Sequence, residues 1–180
     1  MSWPTNQSMA LNPLKPSLIV DVLCLQVAWF TAALLHERAT LFVLLILVLR
    51  LFVIKNTRAE IKPALVLTSI GLASETLMIL SGLISYNTAF FMPLWLPLLW
   101  LIFGFTMTQG MKFMCKLSLP IRALLGAVSG WSSYQAAASF GVLELHPDRV
   151  SASIALLMVW AITLPLLASA HDTRNTGMVC

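Results

Sequence analysis

The sequence predicts an all-α polytopic membrane protein, a bundle of six transmembrane helices. Three observations carry that prediction. Only 10% of the 180 residues are charged while 59% are hydrophobic, whereas a soluble domain carries about a quarter charged residues. Apolar runs recur at 17–35, 40–54, 61–80, 90–111, 121–142 and 150–170, most of them near the ~20 residues with which a helix crosses about 30 Å of hydrocarbon. Lysine and arginine gather between the runs on one side, the asymmetry that orients membrane helices.

Residues 1–16 are polar, contain Pro4, Pro13 and Pro16, and read as a cytoplasmic tail. No basic segment or small-residue cleavage site precedes the first run, so the first helix is expected to be an uncleaved signal-anchor. The second run is short and would extend to Asn56 or tuck its end under a neighbour. Merging it with the first would give five spans and blur the charge asymmetry, so six are preferred. The links at 36–39, 55–60, 81–89, 112–120 and 144–149 are brief, which makes consecutive helices antiparallel neighbours.

Eight of the eleven basic residues fall on one side: Lys15, Lys55, Arg58, Lys62, Lys112, Lys116, Arg122 and Arg174. Arg38 and Arg149 fall on the other, and Arg50 lies within a run. Both termini are therefore expected in the cytoplasm, with 17–170 as the transmembrane domain and 171–180 as a cytoplasmic C-terminal tail. The net charge of +4 sits at helix ends and does not mark a nucleic-acid partner.

In the fourth run, Pro93 falls near the start and Pro97 a turn deeper, where it is expected to bend the helix. Trp95 and Trp100 are expected at and just below the outer interface, where amphipathic rings are favoured. The fifth run carries Gly126, Gly130, Ser133, Ala137 and Gly141 three or four residues apart, a stripe of small side chains on one face. Such stripes let helix backbones approach closely in lipid. They serve either packing within the bundle or a homo-oligomer, so this helix is placed at the centre.

Charge inside a span is costly and marks a candidate functional residue. Asp21 and Arg50 lie at similar distances from the cytoplasmic ends of the first two helices. They are expected either to form a structural ion pair or to reach water and headgroups separately. Glu75 lies deeper, about 20 Å from the cytoplasmic end at 1.5 Å per residue, with no basic residue at its level. Tyr134 and Gln135 of the fifth helix fall at comparable depth, and Gln26 of the first is near the middle of the membrane. These four residues form a candidate intramembrane polar site, in which Glu75 is either a proton carrier or polar glue between helices.

Other signals are weak. Cys24, Cys115 and Cys180 form neither a disulfide framework nor a zinc pattern. His36-Glu37-Arg38 lacks the second histidine of a zinc-protease helix, and no phosphate loop, nucleophile elbow or dinucleotide fingerprint occurs. No cofactor, metal site or catalytic residue is assigned.

The residues also carry a resemblance. Leu94-Trp95, Leu99-Trp100, Phe103, Phe105-Thr106, Ala123 to Ala127 and Ser133-Tyr134 are similar to the bacterial inner-membrane family catalogued as domain of unknown function 2878. Gln26 with Trp29-Phe30, and Glu75 with Gly82-Leu83, agree with its pattern. The likeness spans about 17–141. Asp21, Thr108, Gln109 and Trp131 depart from residues usual in the family, and Gln109 stands where relatives have histidine, a residue able to transfer protons. The resemblance implies an inner-membrane location and, through an association with fatty-acid modification in phospholipids, a membrane lipid as partner. The expected function is that of an accessory membrane protein for lipid modification or handling, not an enzyme, alone or with a membrane-protein partner. A proton-coupled transporter or flippase, and a membrane-embedded lipid-modifying enzyme, are the alternatives.

Overall fold

The computed structural model describes residues 16–53, 57–114 and 117–172. They form six α-helices: α1 (Pro16–Leu35), α2 (Ala39–Val53), α3 (Thr57–Leu80), α4 (Trp95–Met114), α5 (Leu119–Ser139) and α6 (Arg149–Asp172). Three helical stretches, Leu18–Val53, Glu60–Leu80 and Arg149–Ala170, are long and apolar enough to cross a membrane, while the apolar run of α4, Trp95–Thr108, is shorter. They mark the chain as a membrane protein. Most of the two expected tails, and Lys15, Lys55, Lys116, Arg174, Cys115 and Cys180, lie outside the described residues.

The first of these stretches is a helical hairpin. A short turn at His36–Arg38, with His36 at φ 51°, reverses the chain. α2 then packs back along α1, which brings Arg50, near the end of α2, to Asp21, near the start of α1.

The fold is not purely helical. β1 (Ile84–Tyr86) pairs antiparallel with β2 (Leu143–Leu145), in the register Ile84 to Leu145, Ser85 to Glu144 and Tyr86 to Leu143. Each strand alternates: Ile84 and Leu143 are buried, Ser85 and Glu144 exposed. Matching helix caps create the pair. α3 ends in Gly82 (φ 71°), with Leu83 N–H donating to Met78 O, and α5 ends before Gly141 (φ 73°), with Val142 N–H donating to Ala137 O. A residue in the left-handed region followed by such a six-to-one bond is how many helices stop and turn. Both caps deliver the chain directly into a strand.

Helix boundaries correct two expectations. α4 starts at Trp95, so Pro97 stands in its first turn, where its missing N–H has no helical acceptor to lose; no bend is due to it. The interior prolines are Pro63 of α3 and Pro165 of α6. Trp95 and Trp100 are 4% and 6% exposed, so their rings pack inside the bundle. α5 ends at Ser139, so Gly141 belongs to the cap and not to a helical stripe.

α5 packs on α6, α3 on α4 and α6, and α1 on α2 and α4. At Gly126, an added Cβ would run into the Trp160 backbone oxygen and Leu164; at Gly130, into the Trp160 indole. The two glycines therefore seat α6 against α5. Ser133 and Ala137 instead face a cavity, because α1 and α5 do not pack along their length.

Candidate functional site

α3 carries Glu75 five residues before its end, on the face turned into the bundle, where the side chain is 1% exposed. The Tyr86 hydroxyl, delivered by β1, donates to Glu75 Oε1 at 2.5 Å, and the Tyr134 hydroxyl, from α5, donates to Oε2 at 2.5 Å. The Trp100 side chain of α4 provides a further hydrogen-bonding contact to the same carboxylate. No basic side chain enters this cluster among the described residues, so hydrogen bonds alone satisfy the buried acid, as a polar group in apolar surroundings requires. Burial, and then the adjacent Glu75 carboxylate, push the Tyr86 hydroxyl well above the ordinary tyrosine range, so it remains a proton donor at neutral pH.

The cluster forms one wall of a cavity of about 650 Å³. This is within the range of about 300–1,000 Å³ typical of small-molecule sites. Trp29, Trp95, Trp100 and Trp160 line it, and Phe103, Met107 and Leu164 continue it toward the opposite end of the bundle. Trp100 and Trp160 stack, with ring centroids 5.9 Å apart and planes 6° from parallel. Among the described residues no Lys, Arg or His lines the cavity.

The four expected polar residues are not all brought together. Tyr134 binds Glu75 directly. Gln26 lines the cavity from α1, but it is exposed and has no hydrogen-bond partner among the described residues. Gln135 turns away and donates to Ser153 Oγ of α6 at 3.2 Å. Adjacent helical residues point about 100° apart, so Tyr134 and Gln135 cannot share one acid. Tyr86, Trp100 and Trp160 were not anticipated. Tyr86 lies in a segment that reads as a loop, and the only signal for it is the alternation of Ile84, Ser85 and Tyr86.

Asp21 and Arg50 meet in a second cluster. Arg50 Nε donates to Asp21 Oδ1 at 2.7 Å, and Arg50 Nη2 to Glu60 Oε2 at 2.7 Å. The guanidinium lies over the Phe105 ring, 4.0 Å from its centroid, and both Asp21 and Arg50 are 1% exposed. Glu60 enters because α3 begins at Thr57, four residues before the apolar run. The geometry of this cluster ties α1, α2 and α3 together. Among the described residues no group of three or more His, Cys, Asp or Glu side chains is placed to hold a metal ion.

The family described as protein of unknown function (DUF2878) matches residues 18–166. The chain belongs to that family. No curated protein and no solved structure matches the chain. Within this DUF2878 chain, the matched span includes both clusters and every residue named as lining the cavity.

Proposed function

We propose that this DUF2878 protein crosses a bacterial inner membrane six times, with both termini in the cytoplasm, and holds a membrane lipid in the Glu75 cavity. In this reading it is accessory to lipid modification or handling. One observation carries the proposal: the cavity is lined mainly by apolar side chains, and a single buried carboxyl group, that of Glu75, stands in its wall. Solutes that must be rehydrated on release gain little from tryptophan, phenylalanine and methionine walls, whereas an acyl or isoprenoid chain matches them. The location of Glu75 supports the same reading, because an acid kept at depth without a basic partner is costly and marks a working site.

The topology rests on charge. Arg58, Lys62 and Arg122 stand at the helix ends opposite the strand pair. This supports a topology with the strand pair on the outer side.

Comparative lipid mass spectrometry tests the function, using cells that lack the protein, cells that carry it, and cells that carry Glu75→Gln. A lipid species altered in the first and third relative to the second is expected. Three identical profiles would contradict the reading and turn attention to solute transport.

A further inference from the structure

We infer that Gln26 holds the polar part of the lipid, an uncharged acceptor oxygen such as an acyl ester carbonyl, at a side mouth of the cavity. The inference rests on the lipid reading above and adds a ligand-holding residue and the chemistry it selects. Gln26 is the eleventh of the twenty residues of α1, roughly 15 Å from either end at 1.5 Å per residue. It is exposed, and its carboxamide has no hydrogen-bond partner among the described residues. Leu23, Val27 and Phe30 around it are exposed as well, so the carboxamide stands among apolar side chains half-way along a membrane helix. An amide left unmet there is costly. Other polar side chains nearby are satisfied within their own helices: the Thr31 hydroxyl donates to Val27 O, that of Ser129 to Leu125 O, and that of Ser132 to Ser129 O.

Two hollows meet at Gln26. It lines the cavity that holds Glu75, and it also lines a second hollow of about 390 Å³ on the outer side of α1, formed with Val27, Thr31 and Leu34. Gln26 and Phe30 are common to both. α1 and α5 border the cavity here and do not pack along their length. They are bridged near the strand end, where Trp29 meets Phe140 with ring centroids 6.1 Å apart. Gln26 therefore stands where the interior of the cavity joins the lipid-facing side of the bundle.

The chemistry follows from what a carboxamide needs and what that depth allows. Gln26 offers two N–H donors and one acceptor, and a plain hydrocarbon chain meets none of them. A charged head would have to lie midway along a membrane helix, where charge is costly. Among the described residues no Lys, Arg or His lines the cavity to offset a phosphate or carboxylate. An ester carbonyl is uncharged and accepts from the Gln26 N–H groups at the mouth, while its chain lies inside against Leu99, Trp100 and Phe103.

The test is tryptophan-fluorescence quenching of the full chain in detergent by two brominated C16 probes, a fatty-acid methyl ester and the plain alkane, each dosed as a mole fraction of the micelle. Trp29, Trp95, Trp100 and Trp160 of the cavity wall report occupancy. The ester is expected to bind about tenfold more tightly than the alkane, as a hydrogen bond made away from water implies. Gln26→Leu, with circular dichroism and unfolding midpoint unchanged, should bring the ester down to the affinity of the alkane. Equal affinities in the unaltered chain would overturn the assignment, and so would a preference that survives Gln26→Leu; both results leave a lipid site in place. Light scattering on the same samples reads the oligomeric state. An oligomer that dissociates in Gln26→Leu would make a second copy the partner of the carboxamide and overturn the assignment as well. No saturable quenching by either probe would remove the lipid reading itself.

Discussion

The Tyr134 hydroxyl of α5 meets Glu75 Oε2 of α3 at 2.5 Å, across 59 positions of sequence. α3 and α5 do not otherwise pack against each other. Their link is made through this bond, and through Tyr86, whose strand pairs with the one that follows α5. Beside the direct packing of α3 on α6, the acid therefore ties α3 to α5 across the cavity and shapes the space between them.

A double-mutant cycle measures that link. Glu75→Gln and Tyr134→Phe should each destabilise the protein, and the double variant should be less destabilised than the sum. Groups in direct contact show coupling of about 0.5–3 kcal/mol, and hydrogen bonds to charged groups contribute about 1.5–3 kcal/mol. Equilibrium unfolding in mixed detergent reads the coupling. Strict additivity would mean that the two side chains act independently.

Arg50 is expected to be the most sensitive charged position. Arg50→Leu leaves the buried Asp21 carboxyl without its guanidinium partner, and breaking a buried pair in this way costs about 3–5 kcal/mol. Asp21→Asn leaves Arg50 its contact with Glu60 at 2.7 Å and should cost less. The order of the two unfolding midpoints checks the claim, and the reverse order would contradict it.

Gly126→Ala should loosen α5 from α6. The added methyl group would meet a backbone oxygen of Trp160, which cannot rotate away as a side chain can. Overpacking of this kind costs about 1–3 kcal/mol. Gly82→Ala meets no neighbour within 4 Å, but it stands at φ +71°. Its cost is backbone strain of about 1 kcal/mol. Thermal midpoints should show Gly126→Ala as the more damaging change.

The start of α6 should respond to acid. The Ser151 hydroxyl donates to Asp148 Oδ2 at 2.6 Å, and the Val150 and Ser151 N–H groups donate to Oδ1. Led by the Ser151 hydroxyl, these bonds hold the Asp148 carboxyl below the ordinary aspartate range. A folded value lower than the unfolded one means that the stabilisation is complete above the unfolded value, about 4, and is lost as pH falls through the folded value. The protection factors of the amides in the first turn of α6 should therefore fall below about pH 4. Asp148→Ala should remove that dependence.

Much of this was legible in the sequence because its causes are local. Length and apolarity define the helices, and the equal depths of Asp21 and Arg50, and of Glu75 and Tyr134, follow from counting residues along antiparallel neighbours. What escaped depends on a turn or on rotation about a helix axis. Tyr86 reaches Glu75 because a glycine cap sends the chain into a three-residue strand, too short to announce itself by periodicity. Glu60 reaches Arg50 because α3 starts a turn before its apolar run. Gln135 shares the depth of Tyr134, yet the helical rotation between neighbours sends it to Ser153. The cavity has no sequence signature, because it arises where α1 and α5 fail to meet.

The most direct measurement is mass spectrometry of lipid extracted from the purified full chain after exhaustive detergent exchange, compared with Ser133→Phe, which places a ring in the cavity. The account predicts one lipid class retained by the unaltered protein in roughly equimolar amount, as one cavity would hold. It also predicts the loss of that lipid from Ser133→Phe at an unchanged unfolding midpoint. The same bulk-membrane mixture on both proteins would contradict the claim that the Glu75 cavity holds a lipid.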